Sequence, residues 1–260
     1  MSSVGDEWES KLEGRRYGPA EGASFLARFR ASLYIQLILR YAALSPGSRV
    51  LEPGCGSGKF SLALASLGHR VIVGDYVANV LRGVRDTEKH VKLKEGWIGA
   101  PVAYCRLNLE TLPFRDDTFD LILNEGVVEH WLDDGARLGV LREMARVARP
   151  GGVVAVLVPN GAHPLARLWE ARLEGFHHAP EMTDYSAARL GRELARAGLR
   201  RVRADGIYPW RSWVRLPPWD RLYLLAAALD HWVPLSRGLR ERWALNLIAL
   251  GRKPDPAGAD

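Results

Sequence analysis

Cysteine is nearly absent from this chain, and so is any long apolar run. The 260 residues hold only Cys55 and Cys105, which have neither metal-ligand spacing nor the makings of a disulfide framework. The apolar run 222–229 stops at Asp230 and His231, well short of the roughly 18 residues that a membrane-spanning helix needs. The opening stretch MSSVGDEWESKLEGRR has no apolar signal core, so a cytoplasmic protein with free thiols is expected. Internal repeats are missing, and the one biased tract is the terminal PDPAGAD. Lysine is scarce, since arginine supplies 30 of the 36 basic residues. Residues 1–130 carry 16 Lys+Arg against 16 Asp+Glu, and residues 131–260 carry 20 against 14, so the net charge of +6 belongs to the second half. Compositional bias toward arginine explains that excess better than a binding stripe, and no nucleic-acid partner is expected. What the chain does have, 47% hydrophobic and 25% charged residues, suffices for one α/β domain with a substrate cap.

Apolar residues at helical spacing predict one long helix within 22–44. RVLEP then reads as a buried strand, GCGSG as a glycine turn and 59–67 as a helix. HRVIVGD is a second strand ending at Asp75. A helix follows from about Val77, giving way to a looser stretch over 86–100. PVAYCRL and FDLILNEG are strands three and four. Asp133 caps a helix that runs to about Ala148 and stops at Arg-Pro-Gly-Gly. GVVAVLVPN is the fifth strand, SAARLGRELARAG a helix, and LRRVRADGIYPW and ALNLIALGRK the last two strands. Strands alternating with helices of this length mean crossover connections and a parallel sheet.

The chemistry concentrates at the first strand–turn–helix junction. Gly54, Gly56 and Gly58 let the backbone approach a ligand at a helix N-terminus. Their spacing is GxGxG, not the GxGxxG of dinucleotide binders. Glu52, at the strand end, would repel a pyrophosphate and suits a cofactor that carries positive charge. Asp75, at the end of the next strand, is placed to accept hydrogen bonds from ribose hydroxyls.

VLEPGCGSGKFSLALASLGHRVIVGDY resembles the first two motifs of class I S-adenosylmethionine-dependent methyltransferases. NLETLPFRDDTFDLILNEGVVEHW resembles their middle region and ARVARPGGVVAVLVPN their fifth-strand segment, so the likeness covers residues 48–160. It implies an α/β three-layer sandwich with a seven-stranded, mostly parallel sheet, order 3-2-1-4-5-7-6, whose last strand is antiparallel. It also implies S-adenosylmethionine as methyl donor. On that resemblance Gly54, Gly56 and Gly58, with Cys55 beside them, line the methionine portion and Glu52 organises that end. Asp75 holds the ribose and Tyr76 lies against the adenine. Asn108 stands where the family usually has an aspartate and can still accept the adenine amino group, and the Leu109 amide meets the ring. Asn124, Glu125 and Gly126 border the methyl group and the methionine amine.

Catalytic candidates rank Glu125, His130, Tyr185. Glu129 and His130 look like a pair, although this dipeptide recurs in the family in packing roles, and His177 and His178 fall in a loop after strand five. On the sheet order that the resemblance implies, the strands of the two cysteines are two apart, about 9–10 Å by strand spacing, too far for a disulfide. The chain lacks the N/D-P-P-aromatic motif of base and glutamine methyltransferases, the Pro-Cys of cytosine-carbon enzymes and the acidic cluster that holds magnesium in catechol-type enzymes. That favours a metal-independent, O- or N-directed enzyme for a small-molecule or lipid-like acceptor. A macromolecular substrate and a non-catalytic cofactor-binding regulator are the competing readings. Within a single domain, 1–260, the core is expected over about 45–160, 185–208 and 243–252. The cap is expected from 1–44, 160–184 and 209–243. Trp169, Phe176, Trp210, Trp213, Trp219, Trp232 and Trp243 would make that cap suit an aromatic or apolar acceptor.

Overall fold

The computed structural model describes residues 25–97, 99–164, 182–209, 225, 228–230, 233 and 235–255. Its seven strands are β1 (Arg49–Pro53), β2 (Arg70–Asp75), β3 (Val102–Arg106), β4 (Phe119–Glu125), β5 (Ala148–Pro159), β6 (Arg200–Ile207) and β7 (Asn246–Arg252). They form one sheet in the order β3-β2-β1-β4-β5-β7-β6. β1 pairs in parallel with β2 and β4, β2 with β3 and β4 with β5; β7 runs antiparallel between β5 and β6. The sheet is thus the expected one, strand for strand.

The two-residue period of the strands decides the layers. Val50, Leu121, Leu123, Val153, Ala155, Leu157, Ile248 and Leu250 point into one apolar cluster, whereas their neighbours Leu51, Ile122, Val154, Val156, Leu247 and Ala249 point into the other. Helices α1 (Phe25–Arg30), α2 (Leu33–Ala42), α3 (Lys59–Ser66) and α4 (Ala78–Glu95) supply residues to the first cluster. α5 (Asp134–Val147) and α6 (Ala187–Arg196) supply the second, and α7 (Arg237–Trp243) leads into β7. No helix among the described residues is long and apolar enough to cross a membrane.

Three local expectations need correction. The helix expected within 22–44 is broken at Ala31 and Ser32, where Ser32 accepts the Ile35 amide and starts α2 afresh. The stretch 86–100 is not loose down to Glu95, because α4 extends for 18 residues. Its charged outer face hides a buried stripe of Val80, Gly83, Val84, Thr87, Glu88 and Val91, spaced three and four apart. β5 begins at Ala148, opposite Phe119, before the Arg-Pro-Gly-Gly excursion, and pairing resumes at Val153 opposite Leu121. Gly152 allows it, since a Cβ there would lie 2.9 Å from the Phe119 carbonyl oxygen.

Trp169, Phe176, Trp210, Trp213, Trp219, Trp232, His177 and His178 lie outside the described residues. The described roots of the cap segments sit at the carboxyl end of the parallel strands. Asn160, just past β5, donates to the carbonyls of Glu241 and Ala244 and so ties down α7. His163 packs edge-on to Trp243 at 5.9 Å between ring centres.

Candidate functional site

The loop after β1 folds back on β2 and opens α3. The Cys55 amide donates to the Gly74 carbonyl (3.0 Å) and the Gly58 amide to that of Cys55 (2.8 Å). Gly54, Gly56 and Gly58 all have positive φ, which glycine adopts without strain. Their surroundings differ. A Cβ on Gly54 would meet Val127 at 2.8 Å and one on Gly58 would meet Val84 at 2.3 Å, whereas one on Gly56 would meet nothing within 4 Å. Of the three, then, only Gly56 has open space where a Cβ would stand. Glu52 is 2% exposed and its Oε2 accepts the Ser61 amide at 3.0 Å. Burial, with the charge of Glu125 adding to it, pushes the Glu52 carboxyl up to about 8 against the pull of Ser61 and Lys59.

Asp75, the last residue of β2, holds the loop from the side. Its Oδ1 accepts the Val77 amide (3.0 Å), and its Oδ2 accepts the Gly56 amide (3.4 Å) and faces the Cys55 thiol at 3.7 Å. Burial raises its carboxyl above the usual aspartate range while these amides hold it down. Burial and then the charge of Asp75 raise the Cys55 thiol too, so it is inert, and both cysteines are free. Tyr76 has the Arg106 guanidinium 5.3 Å from its ring centre, and its carbonyl accepts Arg106 Nε. Asn108 closes a small turn, its Oδ1 accepting the Glu110 amide at 3.0 Å, with Leu109 buried beside it.

The carboxyl end of β4 completes the arrangement. Glu125 pairs with Lys59, the first residue of α3, at 2.5 Å. Asn124 is fully buried with its side-chain amide on the Met144 sulfur; only its carbonyl turns toward α2, where the Tyr34 hydroxyl donates to it at 2.9 Å. Strand alternation sends its side chain into the layer of α5, beside Met144. A 3-10 turn, Val128–His130, follows. Glu129 is 1% exposed, burial and the Glu125 charge push it up to about 8, and its Oε2 has no hydrogen-bond partner. Tyr185 does not serve as a base in this arrangement. Its hydroxyl is spent on Glu193 Oε2 at 2.7 Å, and burial and that carboxylate raise it well above the ordinary tyrosine value. It belongs to a buried hub in which Arg137 donates to Glu193, Thr183 and the Trp131 carbonyl.

Strand order thus brings Glu52, Gly56, Asp75, Glu125 and Glu129 to one edge, where open α/β sheets bind ligands. Motif reading did not reveal the Lys59–Glu125 pair, the Tyr34 contact or the Arg137 hub, because each joins segments distant in sequence. The pattern GVVEH did expose Glu129 but could not tell an open carboxyl from a packed one. No group of three or more His, Cys, Asp or Glu side chains that could hold a metal occurs among the described residues.

A family described as a methyltransferase domain matches residues 51–156, from β1 into β5. The ubiquinone/menaquinone biosynthesis C-methyltransferase UbiE of Vibrio vulnificus is 36% identical over 148 residues, 55% of this chain and 53% of that protein. The chain thus spans about half the length of the curated relatives it matches. In fold it is similar to a phosphoethanolamine N-methyltransferase of Haemonchus contortus solved with S-adenosyl-L-methionine (TM-score 0.63, 15% identity, 98% of this chain, 61% of that one). It is also similar to an S-adenosylmethionine-dependent methyltransferase of Thermotoga maritima (TM-score 0.56, 18% identity, 95% of each chain). Residues 51–156 thus match a methyltransferase domain, and the fold of the chain is that of solved S-adenosylmethionine-dependent methyltransferases.

Proposed function

We propose that the chain transfers a methyl group from S-adenosylmethionine to a small, apolar acceptor that carries an aromatic ring. The observation that carries the reading is the open space over Gly56, whose amide is held by Asp75, at the strand ends that also carry Glu52 and Glu125. Carboxylates suit a ligand with a sulfonium and an ammonium, and Asp75 suits ribose hydroxyls. Glu52, Gly54, Cys55, Gly56, Gly58, Asp75, Tyr76, Asn108, Leu109 and Glu125 would hold the cofactor, Gly54 and Gly58 by shaping the loop and not by lining it. When bound, the cofactor supplies an activated methyl group on a positively charged sulfur. The work of the chain is to align the acceptor with it and keep water out. Segments 1–44, 160–184 and 209–243 would close over the acceptor as a cap on the core.

Two features favour a small ring as acceptor: the tryptophan-rich composition of 209–243 and the likeness to a quinone-biosynthesis enzyme. That relative is named a C-methyltransferase, which brings a ring carbon into consideration beside the oxygen or nitrogen expected from the sequence. The test is to titrate the protein with S-adenosylhomocysteine by calorimetry, then supply tritiated S-adenosylmethionine with hydroquinone, 1,4-dihydroxynaphthalene and the low-molecular-weight fraction of a bacterial extract. Micromolar binding and label in an organic-soluble product are expected, with mass spectrometry locating the methyl group. Binding without labelled product would make the chain a cofactor-binding regulator, and label confined to RNA or protein would overturn the acceptor class.

A further inference from the structure

We propose that the Glu129 carboxyl meets the acceptor and takes the proton that a hydroxylated acceptor gives up as it is methylated. The inference rests on the methyl-transfer reading above. It begins with a buried oxygen that has nothing to bond. Of the carboxyls at this edge, Glu52 holds the Ser61 amide, Asp75 uses both oxygens on the loop and Glu125 is on Lys59. Glu129, 1% exposed, keeps Oε2 without a partner. Burying such an oxygen unbonded is costly, so in a native fold it calls for an explanation, and a ligand is one.

Its position fits that ligand. β4 lies next to β1, so the turn that carries Glu129 adjoins the glycine loop at the carboxyl ends of the two strands. Glu129 Oε1 lies 3.7 Å from where a Cβ on Gly126 would stand, so the bare glycine leaves room for the carboxyl over the end of β4. The turn is also clamped. The Thr183 amide donates to the Glu129 carbonyl at 2.8 Å, Thr183 accepts Arg137 Nη1 at 3.0 Å, and the same guanidinium nitrogen holds the Trp131 carbonyl at 2.6 Å. The backbone that carries the carboxyl is thereby preorganised.

Among the described residues Glu125, from the end of β4, is the like charge that acts on it, with Lys59 of α3 as the partner of Glu125. On the α5 and α6 side Arg137 is spent on Glu193 and Asp134, and His130 follows on the same turn. Burial, with the Glu125 charge adding to it, pushes the Glu129 carboxyl up to about 8 against the pull of its own amide and that of Val127, which suits proton transfer near neutral pH. In the step itself an electron pair of the acceptor forms the bond to the methyl carbon, the pair of the broken C–S bond stays on sulfur, and the acceptor hydroxyl proton passes to Oε2 and then to water.

The experiment compares wild type, Glu129→Gln and Glu129→Asp for affinity toward S-adenosylhomocysteine, for kcat and KM with the labelled-donor assay, and for the pH dependence of kcat. Glutamine should leave the affinity and KM within about two-fold, lower kcat by about 100-fold or more, and abolish the rise of kcat toward pH 8. Aspartate should keep that rise at a reduced rate. In ¹³C-carboxyl NMR of the unliganded protein, one glutamate resonance titrating near 8 should vanish in Glu129→Gln. An unchanged kcat and pH limb in the glutamine variant, with cofactor affinity intact, would overturn the role of Glu129 and leave the methyl-transfer reading standing. No binding or no labelled product from the wild type would overturn that reading and the proposal with it. Should Glu129→Gln melt out of the fold, the aspartate variant and the wild-type titration decide: a Glu129 resonance near 4 rules the proposal out.

Discussion

A methyl group added to Gly56 would meet nothing within 4 Å, whereas one added to Gly58 would come within 2.3 Å of Val84. The two positions should therefore fail in different ways. Gly56→Val keeps the packing, pays only a local backbone cost of about 1–3 kcal/mol at its positive φ, and fills the open space, so binding of S-adenosylhomocysteine is lost while the melting curve stays cooperative. Gly58→Val adds a clash to the same strain and should lower the urea midpoint, with overpacking worth about 1–3 kcal/mol. Equal stability of the two variants would contradict this division. Asp75 is a second test. Asp75→Ala should weaken cofactor binding by about 1.5–3 kcal/mol, as for hydrogen bonds to a charged group. Calorimetry giving equal affinity for the variant and the wild type would remove Asp75 from the ribose. The spacing of the glycines was legible in the sequence, because strand, turn and helix signals surround it. What each glycine faces was not, since Val84 and Val127 come from other elements.

The elements themselves were read where a local signal ends them and misread where a tertiary contact does. Asp133 announced α5 and does cap it, its side chain accepting the Ala136 amide, and Ser186 caps α6 in the same way by accepting the Arg189 amide. α4 was cut short because its sequence, RDTEKHVKLKE, is mostly charged, although burial every third and fourth residue carries it on to Glu95. The break between α1 and α2 was missed since the apolar spacing continues through it; Ser32→Ala should cost about 1 kcal/mol by removing that cap. The Arg137 hub is the larger effect. This fully buried guanidinium fastens α5 to α6 and to the backbone after the 3-10 turn. Arg137→Met leaves Glu193 buried with Tyr185 and Arg189 as remaining donors, so a loss of about 3–5 kcal/mol is expected from chemical denaturation. A loss below about 1 kcal/mol would mean that packing, not the ion pair, joins these helices.

Across the whole molecule the alternation of strands and helices made a mostly parallel sheet legible, whereas its order came only from the family resemblance, because crossover rules restrict the topologies without choosing among them. The charge state of the interior was not legible, because burial depends on the finished fold. Two buried glutamates, Glu52 and Glu129, stand near 8 instead of the usual value near 4.5. A carboxyl whose folded value is raised binds its proton more tightly in the folded state than in the unfolded chain. Its contribution to stability is therefore complete below about pH 4.5 and is lost as pH rises toward 8. Glu193, Asp120 and Glu143 act in the opposite sense: their values are lowered, by Arg137 and Tyr185, by the Arg49 amide and Arg149, and by Arg146 respectively, against the burial that raises them, and their contribution is lost as pH falls through the acid range. Stability should then peak near pH 5 and decline through neutrality, each raised group contributing a slope of at most about 1.4 kcal/mol per pH unit. Glu52→Gln isolates one of them. Its amide oxygen can still accept the Ser61 amide, so the fold survives, and the decline of the melting temperature between pH 5.5 and 8.5 should become shallower. Melting curves of the two proteins that run parallel across that range would mean that Glu52 is ionised throughout. The same linkage ties stability to the ligand: positive charge on bound sulfur favours the ionised carboxylates, so the affinity for S-adenosylmethionine relative to its neutral-sulfur product should rise with pH in the wild type and rise less in Glu52→Gln.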